Sequence, residues 1–287
     1  WKRVTGVQTC ALPISQANAN QPPALACDCH FHVFNANESA AGARYVPAYT
    51  STLDDWANAA RPCGVTRGVI VQPSFLGTDN SRMLAAIAQQ PHALRGVAVV
   101  APNVTVPELQ ALHAGGVRGV RLNLSGVRDD ESAMRDIPSR WWSALIEANL
   151  HLELHTDVGR VATLLPNVPR DIVVVLDHFA KPELISSNDA TVAAVRDRNA
   201  TGHATYVTLS GAYRQSAPNA SGCAEIAALW RDEVGIKRLL WGSDWPCTNH
   251  EHAANYAALF DALSAWLPDT GDRHVALSEN ANSIYWR

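Results

Sequence analysis

Two imidazoles separated by a single residue, His30 and His32, close an apolar run in Cys29-His30-Phe31-His32. In an extended strand, positions i and i+2 share a face. The pair would then converge on one point, where it could hold a divalent metal or polarise a carbonyl directly. Three further apolar runs end on titratable groups: Leu154-His155-Thr156, Leu176-Asp177-His178 and Trp241-Gly242-Ser243-Asp244. A buried His or Asp needs a partner or a metal, and any one of these could be a satisfied core group. Four at the same end of separate runs are hard to explain by packing. Arginines form a second layer: Arg121 within Val120-Arg121-Leu122-Asn123-Leu124, Arg128 just beyond, and Arg214 after Ser210-Gly211-Ala212-Tyr213. A guanidinium fork binds a carboxylate bidentately, so these three are candidate substrate-binding groups. Tyr45, ahead of Val46-Pro47, is either a hydroxyl lining the site or ordinary loop packing.

The elements that must position these residues alternate along the chain. Short β-branched apolar runs lie at 24–33, 68–73, 95–101, 117–124, 151–156, 171–178, 204–210 and 237–244. Several are almost continuously apolar, as a parallel strand covered on both faces requires. Helical patterns separate them at 79–90, 105–113, 141–150, 223–234 and 251–267. Pro107 suits a helix first turn, and Gly115-Gly116 a stop. Eight strand–helix units predict an α/β fold, a single-domain (β/α)8 TIM barrel over 24–287; a doubly wound open sheet is the structural alternative. In a barrel, the C-terminal strand ends carry the chemistry, and there the His and Asp residues fall.

Composition narrows the partners. The chain has 287 residues, 47% apolar, with a net charge of −4. That gives no basic footprint for nucleic acid or an anionic membrane, and no apolar run nears the ~20 residues of a membrane span. A small molecule is the expected partner. Six cysteines in so long a chain do not read as a disulfide scaffold. Residues 1–23 read as a disordered or artefactual extension: 1–15 resemble translated sequencing-adapter read-through at the end of a metagenomic reading frame, and 16–23 a linker or the tail of an export signal. Cytoplasmic and periplasmic locations both stay open, as does the oligomeric state.

Read together, DCHFHVF, GVRGVRLNL, VVVLDHFAKP and LLWGSDWP, in this order, resemble the amidohydrolase-2 branch of the amidohydrolase superfamily. Within that branch the likeness is to 2-pyrone-4,6-dicarboxylate lactonases and related sugar lactonases, from about Cys27 to Tyr285. The resemblance implies that His30 and His32 sit at the scissile carbonyl, that Asp244 is the general base for water, and that His178 polarises the carbonyl or binds substrate. It implies that Arg121, Arg128 and Arg214 bind substrate carboxylate and that Tyr45 approaches from a loop. His155 stands where the metal-independent pyrone lactonases have tyrosine and metal-dependent members have histidine. Cys247 replaces a histidine common after the D-W-P segment.

The leading expectation is therefore a hydrolase that opens a carboxylate-bearing lactone with water activated by Asp244. One divalent metal, zinc or manganese, would be held by His30, His32, His155 and Asp244; a metal-free site, favoured by the charge of Arg121, is equally open. A zinc-dependent decarboxylase of an aromatic or muconate-type acid is the alternative within the branch, and a non-catalytic binding barrel is the alternative from another class.

Overall fold

The computed structural model describes residues 25–215, 220–253 and 255–287, with the backbone alone at 220 and 221; the extension expected over 1–23 lies outside them. Eight strands run in chain order: β1 (Cys27–Phe31), β2 (Arg67–Val71), β3 (Leu94–Ala98), β4 (Val117–Asn123), β5 (His151–His155), β6 (Val174–Leu176), β7 (Thr205–Leu209) and β8 (Leu239–Trp241). Neighbours pair in parallel, in the order β1-β2-β3-β4-β5-β6-β7-β8. The expected TIM barrel is the fold, and the open-sheet alternative is not.

The ring closes just above β8. His32 N donates to Trp245 O at 2.8 Å, and Asp244 N donates to His30 O at 2.8 Å. Below that seam the Asp28 carboxylate gathers five donors. Ser243 N (2.8 Å) and Ser243 Oγ (2.6 Å) come from the β8 end, His30 N (3.2 Å) from β1, and Trp56 Nε1 (2.9 Å) and Tyr256 Oη (3.1 Å) from outer helices.

β1 carries a register shift between Asp28 and Phe31. An irregularity of this kind changes which side chains face inward. Cys27 and Cys29 join the inner cluster with Val69, Val71 and Tyr285. Beyond the shift, Phe31 stacks outward on Trp56 at 4.2 Å between ring centroids, while His30 and His32 reach Asp244 across the barrel mouth.

Helices shield the outer face, among them Leu53–Ala60, Ser81–Gln89, Val106–Ala114, Ser139–Glu147, Ala190–Ala200 and Ala220–Val234. Thr52 with Asp55, and Thr105 with Glu108, form capping boxes at two N-termini, each N-cap contributing about 0.5–2 kcal/mol. The helix expected over 251–267 is broken. A 3-10 turn at Glu251–Ala253 gives way to helices Tyr256–Asp261 and Leu263–Trp266, because the Asn255 side chain accepts from Ala258 N and caps a new start. The closing helix Asn280–Tyr285 is pinned to β8 by Asn280 Nδ2, which donates to Leu239 O at 2.7 Å and Ile236 O at 2.8 Å. Among the described residues no helix is long and apolar enough to cross a membrane.

Candidate active site

A cavity of about 460 Å³ opens at the C-terminal ends of the strands, within the usual range of about 300–1,000 Å³ for small-molecule sites. Its lining includes His32, Tyr45, Arg121, His155, His178, Arg214 and Asp244. His30 lies fully buried beneath them. Of the residues expected from sequence, eight therefore gather in one place. Arg128 does not. The chain turns after β4, with Val127 N donating to Leu124 O and Gly126 at a φ of 71°. This turn leaves Arg128 exposed and outside the lining.

Asp244 is the hub of the mouth. Its Oδ2 accepts from Tyr213 Oη at 2.5 Å and Arg214 Nε at 2.8 Å. Its Oδ1 lies 3.1 Å from His32 Nε2 and 3.6 Å from His30 Nε2. Burial alone would raise its carboxyl, but the groups around it, led by the charge of Arg214, outweigh that and hold it well below the usual carboxylate range. His178 Nε2 is 3.7 Å from Asp244 Oδ2, and its Nδ1 pairs with Ser210 Oγ at 2.9 Å.

The tautomers bear on a metal. His32 Nδ1 lies 2.7 Å from Val71 O. A carbonyl only accepts, so Nδ1 carries the hydrogen and a neutral ring presents its Nε2 lone pair to Asp244 Oδ1. Burial pushes the His32 imidazolium down, towards that neutral form. Among the described residues neither His30 nitrogen has a hydrogen-bond partner. Its Nδ1 stands 3.4 Å from Asp177 Oδ1 and 3.6 Å from Glu153 Oε1; these carboxylates outweigh burial and raise the imidazolium, and in the neutral ring they place the hydrogen at Nδ1 and leave Nε2 as a second lone pair. Three lone pairs, His30 Nε2, His32 Nε2 and Asp244 Oδ1, thus meet within 4.8 Å of one another. Arg214 and Tyr213 occupy only Oδ2. This donor set fits one divalent cation such as zinc or manganese.

His155 is not in that set. Lys181 Nζ donates to its Nε2 at 2.9 Å, and Arg121 Nη2 stands 3.4 Å from its Nδ1. Two cations flank the ring, so the expected fourth ligand faces the wrong charges. Burial pushes Lys181 down to about 8. It sits at the end of four successive non-glycine residues with positive φ: His178 (52°), Phe179 (58°), Ala180 (55°) and Lys181 (43°).

Arg121 is equally committed. Its Nε and Nη2 donate to Asp177 Oδ2 at 3.2 and 2.7 Å, and Nε lies 3.4 Å from Glu153 Oε1. It is a partner in a buried ion pair that also lines the cavity. Tyr45 Oη donates to Glu251, and Tyr49 Oη donates to the same carboxylate at 3.1 Å. These contacts strap the segment before the first helix to the segment after β8. Cys247 is buried, with its thiol pushed up to about 12, first by burial and then by Asp244.

Several participants were not singled out from sequence. Glu153 has the same strand parity as His151 and His155, and an acid in HLELH was its signal. Burial beside Asp177 pushes it up to about 8. Tyr213 gave no signal beyond adjoining Arg214. Arg44 lines the cavity from the β1 side and had no local pattern to mark it.

Comparisons with known proteins agree with this fold. A family model described as "Amidohydrolase" matches residues 27–286. A 4-sulfomuconolactone hydrolase of Rhizobium radiobacter is 27% identical, covering 92% of this chain and 90% of its own length. A 2-pyrone-4,6-dicarboxylate hydrolase of Comamonas testosteroni is 27% identical, covering 94% of each. A solved structure assigned as a 2-pyrone-4,6-dicarboxylic acid hydrolase, from Acinetobacter baumannii with citric acid bound, superposes with a TM-score of 0.78 at 30% identity, covering 91% of this chain and 99% of its own.

Proposed function

The chain belongs to the amidohydrolase family, and we propose that within it this enzyme opens a lactone ring that bears a carboxylate. The carrying observation is the convergence of Asp244, His30 and His32 at the floor of a cavity also lined by Arg214. Support comes from relatives named for lactone hydrolysis and from the citric acid in the related structure.

In this reading Asp244 takes a proton from water as its oxygen adds to the lactone carbonyl. The carbonyl electrons move onto oxygen and give a tetrahedral oxyanion. Collapse breaks the bond to the ring oxygen, which leaves as alkoxide and receives the proton from Asp244. The product is the hydroxy acid, or the keto acid where the released group is an enol. His178, with Ser210 Oγ at Nδ1, directs an Nε2 hydrogen towards the oxyanion, and preorganised donors of this kind are usually the largest catalytic contribution. Arg214 orients the carboxylate. His30, His32 and Asp244 would hold a divalent cation, which supplies Lewis acidity at the carbonyl when bound.

The test is turnover on 2-pyrone-4,6-dicarboxylate, 4-sulfomuconolactone and sugar lactones, with carbon dioxide release from aromatic acids followed in parallel. Ring opening supports the reading. Carbon dioxide release without lactone turnover overturns it. Metal content and activity before and after chelation decide between cation-assisted and metal-free carbonyl activation.

A further inference from the structure

Ring opening by Asp244, His178 and Arg214 leaves one ring at the cavity without a role. His155 ends β5 and lines the cavity, outside the donor set of His30, His32 and Asp244. Behind it, away from the lining, Lys181 is only 7% exposed. Its Nζ stands 2.9 Å from His155 Nε2 and 3.0 Å from Thr156 O. At the other edge of the ring Arg121 Nη2 stands 3.4 Å from Nδ1, and Arg121 itself lines the cavity.

Two donors therefore face a ring that can accept from one. Burial first, then the charges of His178, Lys181 and Arg121, push the His155 imidazolium well below its ordinary value, so the ring is neutral. A neutral imidazole has one N–H and one lone pair. The Thr156 carbonyl only accepts and takes one Lys181 hydrogen, and a charged Lys181 has another for Nε2. The ring hydrogen is then on Nδ1, at the edge beside the cavity. An uncharged Lys181 reverses the order. Its lone pair receives Nε2–H, and Nδ1 accepts from Arg121, which cannot give up its charge. The exchange balances with the loss of one proton to solvent: Lys181 passes a proton to Nε2 as the Nδ1 hydrogen departs.

We propose that Lys181 is a positioning residue that sets which hydrogen-bond role His155 offers the substrate: donor at Nδ1 while Lys181 is charged, acceptor once it is not. The substrate contact rests on the lactonase reading; the place of the hydrogen on the ring does not. The groups facing Lys181 bring the change close to neutrality. Burial first, then Arg214, push its ammonium down to about 8, against Asp157, Asp177 and Asp244, which raise it. Below that pH His155 donates to a substrate oxygen that has no hydrogen of its own to give, and above it that donor is lost.

The experiment follows the His155 ring nitrogens by nitrogen-15 NMR from about pH 7 to about pH 10 in the wild type, Lys181→Arg and Lys181→Met, with the signals assigned by their loss in His155→Asn. KM and kcat for 2-pyrone-4,6-dicarboxylate, and Kd for citrate by calorimetry, are measured over the same range. The wild type should carry its ring hydrogen on Nδ1 at the acid end and on Nε2 at the alkaline end, with the midpoint at about 8. Lys181→Arg, which keeps its charge, should hold the hydrogen on Nδ1 throughout, and Lys181→Met should hold it on Nε2. Through the wild-type switch KM and Kd should rise by about 2- to 10-fold, the range for one hydrogen bond, with kcat changing less. Neither variant should show that rise. The wild-type titration stands without either variant, so one that fails to fold does not remove the test. A wild-type ring hydrogen that stays in place across the range, or a switch that leaves KM and Kd unchanged, overturns the proposal. A switch that moves Kd in a protein that opens no lactone would sink the lactonase reading and leave the role of Lys181 standing.

Discussion

The amide of Asp244 donates to the carbonyl of His30 at 2.8 Å, so the two ends of the strand ring are joined through the backbone of two site residues. The side chains meet again above that bond, with His30 Nε2 3.6 Å from Asp244 Oδ1. Closure of the barrel and assembly of the site use the same two residues. Asp28 reinforces it from below by binding Ser243 on one side and His30 on the other.

If Asp244 is the base, Asp244→Asn keeps the size of the side chain and most hydrogen bonds but cannot take a proton. Turnover on the best lactone should fall by about 10²–10⁴-fold, with an unchanged circular dichroism spectrum. Near wild-type turnover would reassign the base.

Arg121 and Arg128 should separate cleanly in stability. Arg121→Met strands Asp177 and Glu153 in the barrel interior and should cost about 3–5 kcal/mol by denaturant unfolding. Arg128→Met, at an exposed position, should stay within about 0.5 kcal/mol. Pairing Arg121→Met with Asp177→Asn should recover part of the loss, since the stranded charge is then gone.

The acid limb of stability has a named contributor. His151 is fully buried against Tyr285, and burial pushes its imidazolium down to about 3. Its folded pKa lies below the ordinary 6.5, so the unfolded chain binds the extra proton. The contribution is complete above pH 6.5 and declines as pH falls towards 3, by up to about 1.4 kcal/mol per pH unit. His151→Leu should flatten that limb relative to the wild type. Parallel limbs in the two proteins would assign the acid loss elsewhere.

Glu251 receives Tyr45 and Tyr49 at the rim. Glu251→Ala should release both hydroxyls and raise KM by roughly 2- to 10-fold, with little change in kcat or melting temperature. A fall in kcat with KM unchanged would mean that the strap acts on the chemical step.

Much of this molecule is legible in its sequence because parity and period carry the information. The apolar runs alternate with amphipathic segments, and each run ends where the barrel places its mouth, so His30, His32, His155, His178 and Asp244 could be assembled from strand ends alone. What pattern cannot supply is who pairs with whom. Arg121 reads as a free fork until Asp177 and Glu153 are seen on it, and His155 reads as a ligand until Lys181 is. Arg128 is two residues past the turning glycine, and a turn's direction is not written in local apolar periodicity. Arg44 was invisible for a related reason: it is placed by a turn formed 81 positions later.

The four left-handed residues after β6 bear on how this chain tolerates change. L-residues adopt that conformation at a cost of roughly 1–2 kcal/mol each, and here it aims His178 at Ser210 and Lys181 at His155. In a saturation library the stretch should rank substitutions in the reverse of ordinary strand preference. Glycine should be accepted at Ala180, which is buried in the core, and valine, isoleucine and threonine should be purged there. The constraint would fall on backbone shape, at a position whose own side chain makes none of the polar contacts of the site.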